Sequence, residues 1–472
     1  MRPFSFLKNA LGGLRRTLVG LGGALFLAIV CLAALPYGGV YQVWLTLLNA
    51  GAGLALFVLA LAGRARPRFG IVLAALLPGG AALLVLAAQN GAHVQGWLPA
   101  GQEVLSRGLG YEEVGQALLF GALLLSGHML ARGGALPYLR VVLYVGGLYA
   151  ATATLFEVLQ PERLLFTEKR AYLGYLTTPF VNRNTAATFY GSFAVALLVV
   201  LLRDSAARQA RPIRRSADAV ALACVVIALA QTGSRAGTLL SAGVAICVGL
   251  ALPACLANAL RQARTPPNGR ASRGRTVLAR SPGRLQDSLE TLSSVFAGRP
   301  LSWAAAMLVP LLLAAATLSE RFSSDQLSGG GRWETYGATW TMILDRPWLG
   351  VGLGGFVDVF PSYRVSGLRG TWEHVHSTPL EIAAEGGLPL LAVCFLAVCL
   401  IARGCLATLQ WSGSRDATCA AMASIGVLMV GTLHALIDFS LEITGYLAVF
   451  AGLVGLGTGA PGQASSRGSA RF

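Results

Sequence analysis

The sequence predicts an all-α polytopic membrane protein with about twelve transmembrane helices. The chain has 472 residues, of which 55% are hydrophobic and only 12% are charged. A water-soluble protein of this size cannot bury so much apolar surface. A membrane-spanning helix needs roughly 20 mostly apolar residues to cross a hydrocarbon core of ~30 Å. Such stretches lie near residues 17–35, 41–62, 70–88, 114–131, 138–159, 185–202, 217–232, 236–258, 301–318, 380–402, 417–435 and 441–458.

The charge distribution predicts the orientation of these helices. The net charge is +16, and the lysines and arginines concentrate on segments that lie inside if the N-terminus is inside. This pattern is the one that the positive-inside rule requires, so both termini are predicted inside. The basic stretch "RQARTPPNGRASRGRTVLAR" then indicates contact with lipid headgroups. It does not indicate nucleic-acid binding, because it contains no interleaved aromatic residues for base stacking.

The predicted topology divides the chain into three parts. Residues 1–318 contain the first nine spans and the basic inner loops, residues 319–379 form a large outer loop, and residues 380–472 contain the last three spans and an inner tail. Within the loop, "GRWETYGATWTMILDRPWLG" has aromatic residues at helical spacing. This pattern predicts an amphipathic helix that either lies at the membrane interface or packs onto the bundle.

The outer end of the tenth span carries the first candidate for chemistry. Thr378, Pro379 and Glu381 form a capping signature, with Thr378 as the N-cap. His376 therefore precedes a helix N-terminus, whose positive potential favours a neutral imidazole that can accept a proton. The sequence leaves open that His376 only caps or packs. A metal site formed by His374 and His376 is not favoured, because no third ligand stands at a typical spacing.

Further polar residues are predicted at the same outer ends. In "QTGSRAGTLL", Ser234 is the predicted N-cap and Arg235 lies in the first helical turn. A cation at a helix N-terminus opposes the helix dipole, so a phosphate partner is favoured over simple snorkelling of Arg235 to the interface. Three more arginines lie at the outer side: Arg183, Arg321 and Arg332. His434 and Asp438, four residues apart, either orient an imidazole or satisfy each other as polar groups.

Three stretches resemble one known family. "GSRAGTLL" is similar to the arginine motif, and "HSTPLEIAAEGGLP" to the histidine motif, of the O-antigen ligase and polymerase superfamily. "GRWETYGATWTMILDRPWLGVGLGGF" resembles the periplasmic loop of that family. The resemblance implies a GT-C-type fold in the bacterial inner membrane. It also implies a large helical periplasmic loop between spans nine and ten, and an active site on the periplasmic side.

The resemblance also implies an activity. It is metal-independent and cofactor-free transfer of a glycan from undecaprenyl diphosphate to lipid A–core. His376 would activate the acceptor hydroxyl, while Arg235 and Arg332 would bind the diphosphate. The further candidates are Arg183 and Arg321 for the diphosphate, and His374, His434, Asp438 and Glu381 in support. The first alternative is an O-antigen or exopolysaccharide polymerase of the same superfamily. A lipid or anion transporter is less favoured, because the charges cluster at the outer edge rather than through the spans.

Overall fold

A computed structural model describes residues 3–35, 37–63, 67–91, 105–106, 110–164, 167–205, 212–264, 331–368 and 370–459. The described chain is almost entirely helical. Its helices are α1 (Pro3–Leu32), α2 (Gln42–Leu61), α3 (Phe69–Asn90), α4 (Tyr111–Ala131), α5 (Leu136–Leu159), α6 (Arg183–Ser205), α7 (Pro212–Gln231), α8 (Arg235–Arg264), α9 (Arg332–Asp345), α10 (Phe356–Tyr363), α11 (Thr378–Trp411), α12 (Arg415–Ala435) and α13 (Thr444–Thr458). Two short antiparallel strands, β1 (Arg163–Leu164) and β2 (Thr167–Glu168), follow α5.

The prediction of an all-α polytopic membrane protein is confirmed. Among the described residues, nine helices are long and apolar enough to cross a membrane, and α13 is a shorter apolar helix. A helix lies at each predicted span except 301–318, which falls outside the described residues. The total of twelve spans stays a prediction.

The helices α6, α12 and α13 lie at the centre of the bundle. Their side chains are mostly buried, whereas α1, α2 and α3 expose many leucines on their outer faces. Small residues permit the close approach of the central helices. At Gly191 of α6, a Cβ atom would collide with the hydroxyl of Ser241 in α8. The outward leucines are the surface expected to face lipid.

Charged side chains are paired at the end of the bundle where the inner loops are predicted. Arg140 forms an ion pair with Asp204, and Arg203 forms one with Asp416. Arg68 donates hydrogen bonds to the carbonyls of Gly404 and Thr458, each at 3.1 Å. These contacts join α3, α5, α6, α11, α12 and α13 at that end, away from the candidate site.

The large loop folds against the first turns of α11. Its predicted helix is present as α9, which buries Ala338 and Met342 but leaves Trp333 and Trp340 half-exposed. The glycine-rich turn that follows packs against α11, because a Cβ atom at Gly350 would collide with the backbone carbonyl of Glu385. The Glu385 carboxylate accepts hydrogen bonds from the N–H groups of Gly354 (3.1 Å) and Phe356 (2.9 Å).

Candidate active site

His376 lies at the end of the large loop, directly before α11. Its side chain is 22% exposed, and its Nδ1 is 3.8 Å from Oδ1 of Asp438. The rings of Trp372 and Phe439 meet the imidazole edge-on, with centroid distances of 5.9 and 4.9 Å. The imidazole is therefore held between aromatic rings, close to a buried carboxylate and on the wall of a cavity.

The predicted cap of α11 is wrong in detail. The helix begins at Thr378, and Ser377 is the N-cap residue, without a hydrogen bond from its side chain. Thr378 instead donates its hydroxyl to the carbonyl of Asp438 at 3.3 Å. Glu381 does not close a capping box, because its carboxylate binds the loop before the helix: Oε2 accepts from the Val375 N–H at 2.8 Å. The Thr378 hydroxyl, which was expected to cap α11, therefore binds the segment that contains Asp438 instead.

Asp438 is completely buried and is held by several partners. The Asn184 amide donates to Oδ1 at 3.3 Å, and the Ser440 hydroxyl donates to Oδ2. Burial alone would raise the pKa of this carboxyl, but the imidazoles of His376 and His434 and the Ser440 hydroxyl lower the pKa of Asp438 to about 2. Asp438 is therefore an ionised carboxylate beside His376.

His434, the other member of the predicted pair, forms a hydrogen bond between its Nδ1 and the hydroxyl of Thr188. Asp438 thus lies near two imidazoles, and the one that lines the cavity is His376. The sequence spacing predicted the proximity of His434 and Asp438 but did not predict the contact between Asp438 and His376, which are distant in sequence.

Two of the predicted arginines come together near Asp438. The Arg183 guanidinium lies over the ring of Tyr175 at 4.6 Å and near that of Tyr172 at 5.7 Å. Arg332 donates to the carbonyl of Ile437, the residue before Asp438, at 3.3 Å. Burial and Asp438 raise the pKa of Tyr172, while the charges of Arg332 and Arg183 oppose that shift. Tyr172, on which both charges act, lines the cavity.

Arg235 is not among the residues that line the cavity. It opens α8 as predicted, its side chain is exposed, and Ser234 accepts the Gly237 N–H at 3.3 Å as the expected N-cap. Ser234 also donates to the Asn184 side-chain oxygen at 2.9 Å, and Asn184 donates to Asp438. A short hydrogen-bonded chain therefore joins the Arg235 turn to the partner of His376. Arg321 lies outside the described residues.

The cavity beside His376 has a volume of about 810 Å³. One part of its wall is aromatic and apolar, and another part is acidic. The acidic part consists of Glu112, Glu113, Glu373, Glu381, Glu385 and Glu442, together with His374. Sequence reasoning missed Glu112, Glu113, Glu442, Tyr172 and Phe439. The sequence did contain a signal for Glu112 and Glu113. Ionisable side chains at the start of a membrane span cost free energy, so a pair of adjacent carboxylates there usually indicates a functional role.

His374 lies between two of these carboxylates. Its Nδ1 is 2.7 Å from Oε1 of Glu381 and 3.1 Å from Oε2 of Glu442, and its ring stacks on Phe439 at 4.3 Å. Burial favours a neutral imidazole, but the two carboxylates raise the pKa of His374 to about 11. His374 is therefore an imidazolium at neutral pH, and unlike His376 it is not suited to accept a proton.

Among the described residues, these three side chains form a group that could hold a metal ion. The ligand atoms of His374, Glu381 and Glu442 lie within 4.8 Å of one another. The sequence did not indicate this group, because Glu442 lies about 60 residues beyond Glu381. With a proton on Nδ1, the imidazole donates to the carboxylates and cannot coordinate a metal through that atom. Metal-independent transfer stays a prediction.

By its fold and its candidate site, the protein is a multi-pass helical membrane protein. Its site is a cavity lined by acidic residues, with a histidine next to an aspartate. The family model described as O-antigen ligase matches residues 219–395. The match supports membership of the chain in the O-antigen ligase superfamily and confirms the resemblance of its motifs. A search of curated proteins found no significant match. The matched segment contains Arg235, Arg332 and His376, whereas Arg183 and Asp438 lie outside it.

The family points to a membrane glycosyltransferase-type enzyme in a bacterial membrane, with lipopolysaccharide-related function and lipid-linked glycan substrates.

Proposed function

We propose that the chain transfers an O-antigen glycan from undecaprenyl diphosphate to a sugar hydroxyl of lipid A–core on the periplasmic face of the inner membrane. The observation that carries the proposal is the position of His376. It lines a large cavity, stands 3.8 Å from the buried carboxylate of Asp438, and lies near the segment that Arg332 contacts. A base beside an anion-binding group is what glycosyl transfer from a diphosphate requires. The proposal includes the twelve-span GT-C-type topology implied by the family.

His376 is the general base in this proposal. Its Nδ1 faces Asp438, so Nε2 is the atom that accepts the proton of the acceptor hydroxyl. The acceptor oxygen forms a bond to the anomeric carbon of the donor while the bond from that carbon to the diphosphate oxygen breaks. The bonding electrons leave with the diphosphate, and the proton moves to His376. The Asp438 carboxylate stabilises the imidazolium that forms, as the orienting carboxylate does in other base-assisted transfers.

The arginines stabilise the leaving group. The charges of Arg183 and Arg332 both act on Tyr172, which lines the cavity, and Arg235 is exposed at the neighbouring helix start. Guanidinium groups bind phosphate oxygens in a bidentate manner and retain their charge at all physiological pH values. These charges support a diphosphate on the Tyr172 side of the cavity, and the apolar part of the wall is suited to the isoprenoid chain.

The acidic wall suits a glycan. Carboxylates accept hydrogen bonds from sugar hydroxyls, and among the described residues Oε1 of Glu442 and Oε2 of Glu113 are buried without a hydrogen-bond partner. The exposed faces of Trp372 and Phe439 line the same space and provide apolar surface for a sugar ring. These features support a carbohydrate substrate over a small inorganic anion.

The test is a transfer assay with purified protein, undecaprenyl-diphosphate-linked glycan and lipid A–core. A ligase makes glycan-bearing lipid A–core and releases undecaprenyl diphosphate. A polymerase lengthens the lipid-linked glycan when lipid A–core is omitted, and that outcome would replace the acceptor proposed here. Transport of the intact lipid without bond cleavage would contradict glycosyl transfer.

A further inference from the structure

His376 has an unusual backbone conformation. Its φ is +61°, in the left-handed region that residues with a side chain rarely adopt. Such a conformation costs free energy and persists only where surrounding contacts hold it. Because φ and ψ set the direction of the Cα–Cβ bond, they also decide whether the imidazole reaches Asp438. The contacts that fix this backbone therefore control the position of the proposed base.

A contact on the N-terminal side comes from α11. Both oxygens of the Glu381 carboxylate bind the loop: Oε2 accepts from the Val375 N–H at 2.8 Å, and Oε1 accepts from His374 Nδ1 at 2.7 Å. Glu381 is buried, so these bonds are formed away from competing water. The two residues before His376 are thus tied to the helix that follows it.

A contact on the C-terminal side comes from α9. The hydroxyl of Tyr336 donates to the carbonyl oxygen of His376 itself at 2.9 Å. Tyr336 belongs to the aromatic stripe of the large loop, but unlike Trp333 and Trp340 it is half-buried and points toward the histidine loop. It does not line the described cavity, so it has no direct access to substrate there. Its hydroxyl is therefore placed to act on the reaction through the backbone of His376.

We propose that Tyr336 and Glu381 are positioning residues that hold His376 in its left-handed conformation from both sides, so that its imidazole faces Asp438 and the acceptor. The inference rests on the proposed role of His376 as the base. It gives the large loop a specific role, because α9 brings a phenol hydroxyl to the backbone of the catalytic residue. Tyr336 is the cleaner test, because Glu381 also lines the cavity and contacts His374.

The decisive variant is Tyr336→Phe, which removes one hydroxyl and keeps the ring. We expect kcat to fall by about 10-fold, since small displacements of a catalytic group have effects of this size or larger. The KM for the lipid-linked donor should stay unchanged, because Tyr336 does not contact the cavity. Tyr363→Phe is the matched control. Its hydroxyl bonds Arg346 and Asp345 within the same loop, each at 2.9 Å, and its loss should leave kcat unchanged.

A double-variant cycle separates positioning of His376 from general loosening of the loop. In a His376→Ala background, adding Tyr336→Phe or Glu381→Gln should not lower the residual rate further, whereas in the wild-type background each should lower kcat. A further loss of equal size in the His376→Ala background would overturn the inference, and so would wild-type kcat for Tyr336→Phe. Full activity of His376→Ala would instead contradict the proposed function itself. Thermal unfolding and donor binding of every variant show that the protein is folded.

Discussion

The imidazole of His376 and the carboxylate of Asp438 lie 3.8 Å apart, although the two residues are 62 positions apart in the chain and belong to different loops. The distance is too long for a hydrogen bond and short enough for charge attraction. Proton uptake by His376 would therefore strengthen the contact during the reaction. This pair is the centre of the proposed mechanism.

Replacement of Asp438 tests the pair. Asp438→Asn keeps the size of the side chain and removes its charge, so the imidazolium formed in the reaction loses its stabilising partner. We expect kcat to fall by about 100-fold, within the range that general-base catalysis contributes. Donor binding, measured by titration with the lipid-linked glycan, should change little. An Asp438→Asn protein that is folded and has wild-type kcat would show that the carboxylate only satisfies Asn184 and Ser440.

The arginine variants test the diphosphate site. Arg332→Ala and Arg235→Ala should weaken donor binding and leaving-group stabilisation together, at a cost of about 2–4 kcal/mol in the transition state. Lysine should restore only part of the rate, because an ammonium group cannot bind two oxygens in a fork. Arg163→Ala is the control, since Arg163 is an exposed arginine on β1, a strand that contains none of the proposed site residues. Equal rates for Arg235→Ala and Arg163→Ala would remove Arg235 from the site.

The pH dependence of stability tests the ionisation of His374. Its pKa is raised from 6.5 to about 11 in the folded protein. A raised pKa stabilises the folded state fully below pH 6.5, and that stabilisation is lost progressively as the pH rises toward 11. The difference in Tm between wild type and His374→Gln should thus be largest below pH 6.5 and become smaller from pH 6.5 to pH 9.5. A difference that does not change over this range would show that His374 is not held as an imidazolium.

The topology has its own test. In a background without the eight native cysteines, a cysteine at exposed Ser366 should react with a membrane-impermeant maleimide in intact spheroplasts. A cysteine at exposed Ser216 should react only after the membrane is opened. Labelling of the Ser216 site from outside would reverse the predicted orientation and move the candidate site away from the periplasm.

The sequence predicted those features of the fold that depend on composition and on local sequence pattern. Apolar length located the helices, and the start of α8 at Ser234 and Arg235 followed from N-cap chemistry. The resemblance of the arginine and histidine motifs agrees with the family match. Contacts between distant segments do not follow from local sequence patterns: the approach of Asp438 to His376, and of Glu442 to His374, depends on how α12 and α13 pack against α11. The cap of α11 was misassigned by one residue, because a neighbouring loop binds Thr378.

The positive φ of His376 was equally invisible in the sequence. No local motif required it, since glycine or asparagine would be the usual residue at such a position. It becomes understandable only from the tertiary contacts of Tyr336 and Glu381. Strain at a functional residue is the kind of feature for which local sequence preference and the folded structure disagree.

The most direct test of the mechanism compares His376→Ala with His374→Ala in the purified transfer assay, with donor binding measured separately. His376→Ala should bind the lipid-linked donor as the wild type does and lose turnover by about 10²–10⁴-fold, the contribution of a general base. His374→Ala should lose less turnover, because an imidazolium between two carboxylates does not accept the proton. Near wild-type turnover in His376→Ala, together with abolished turnover in His374→Ala, would contradict the assignment of His376 as the base.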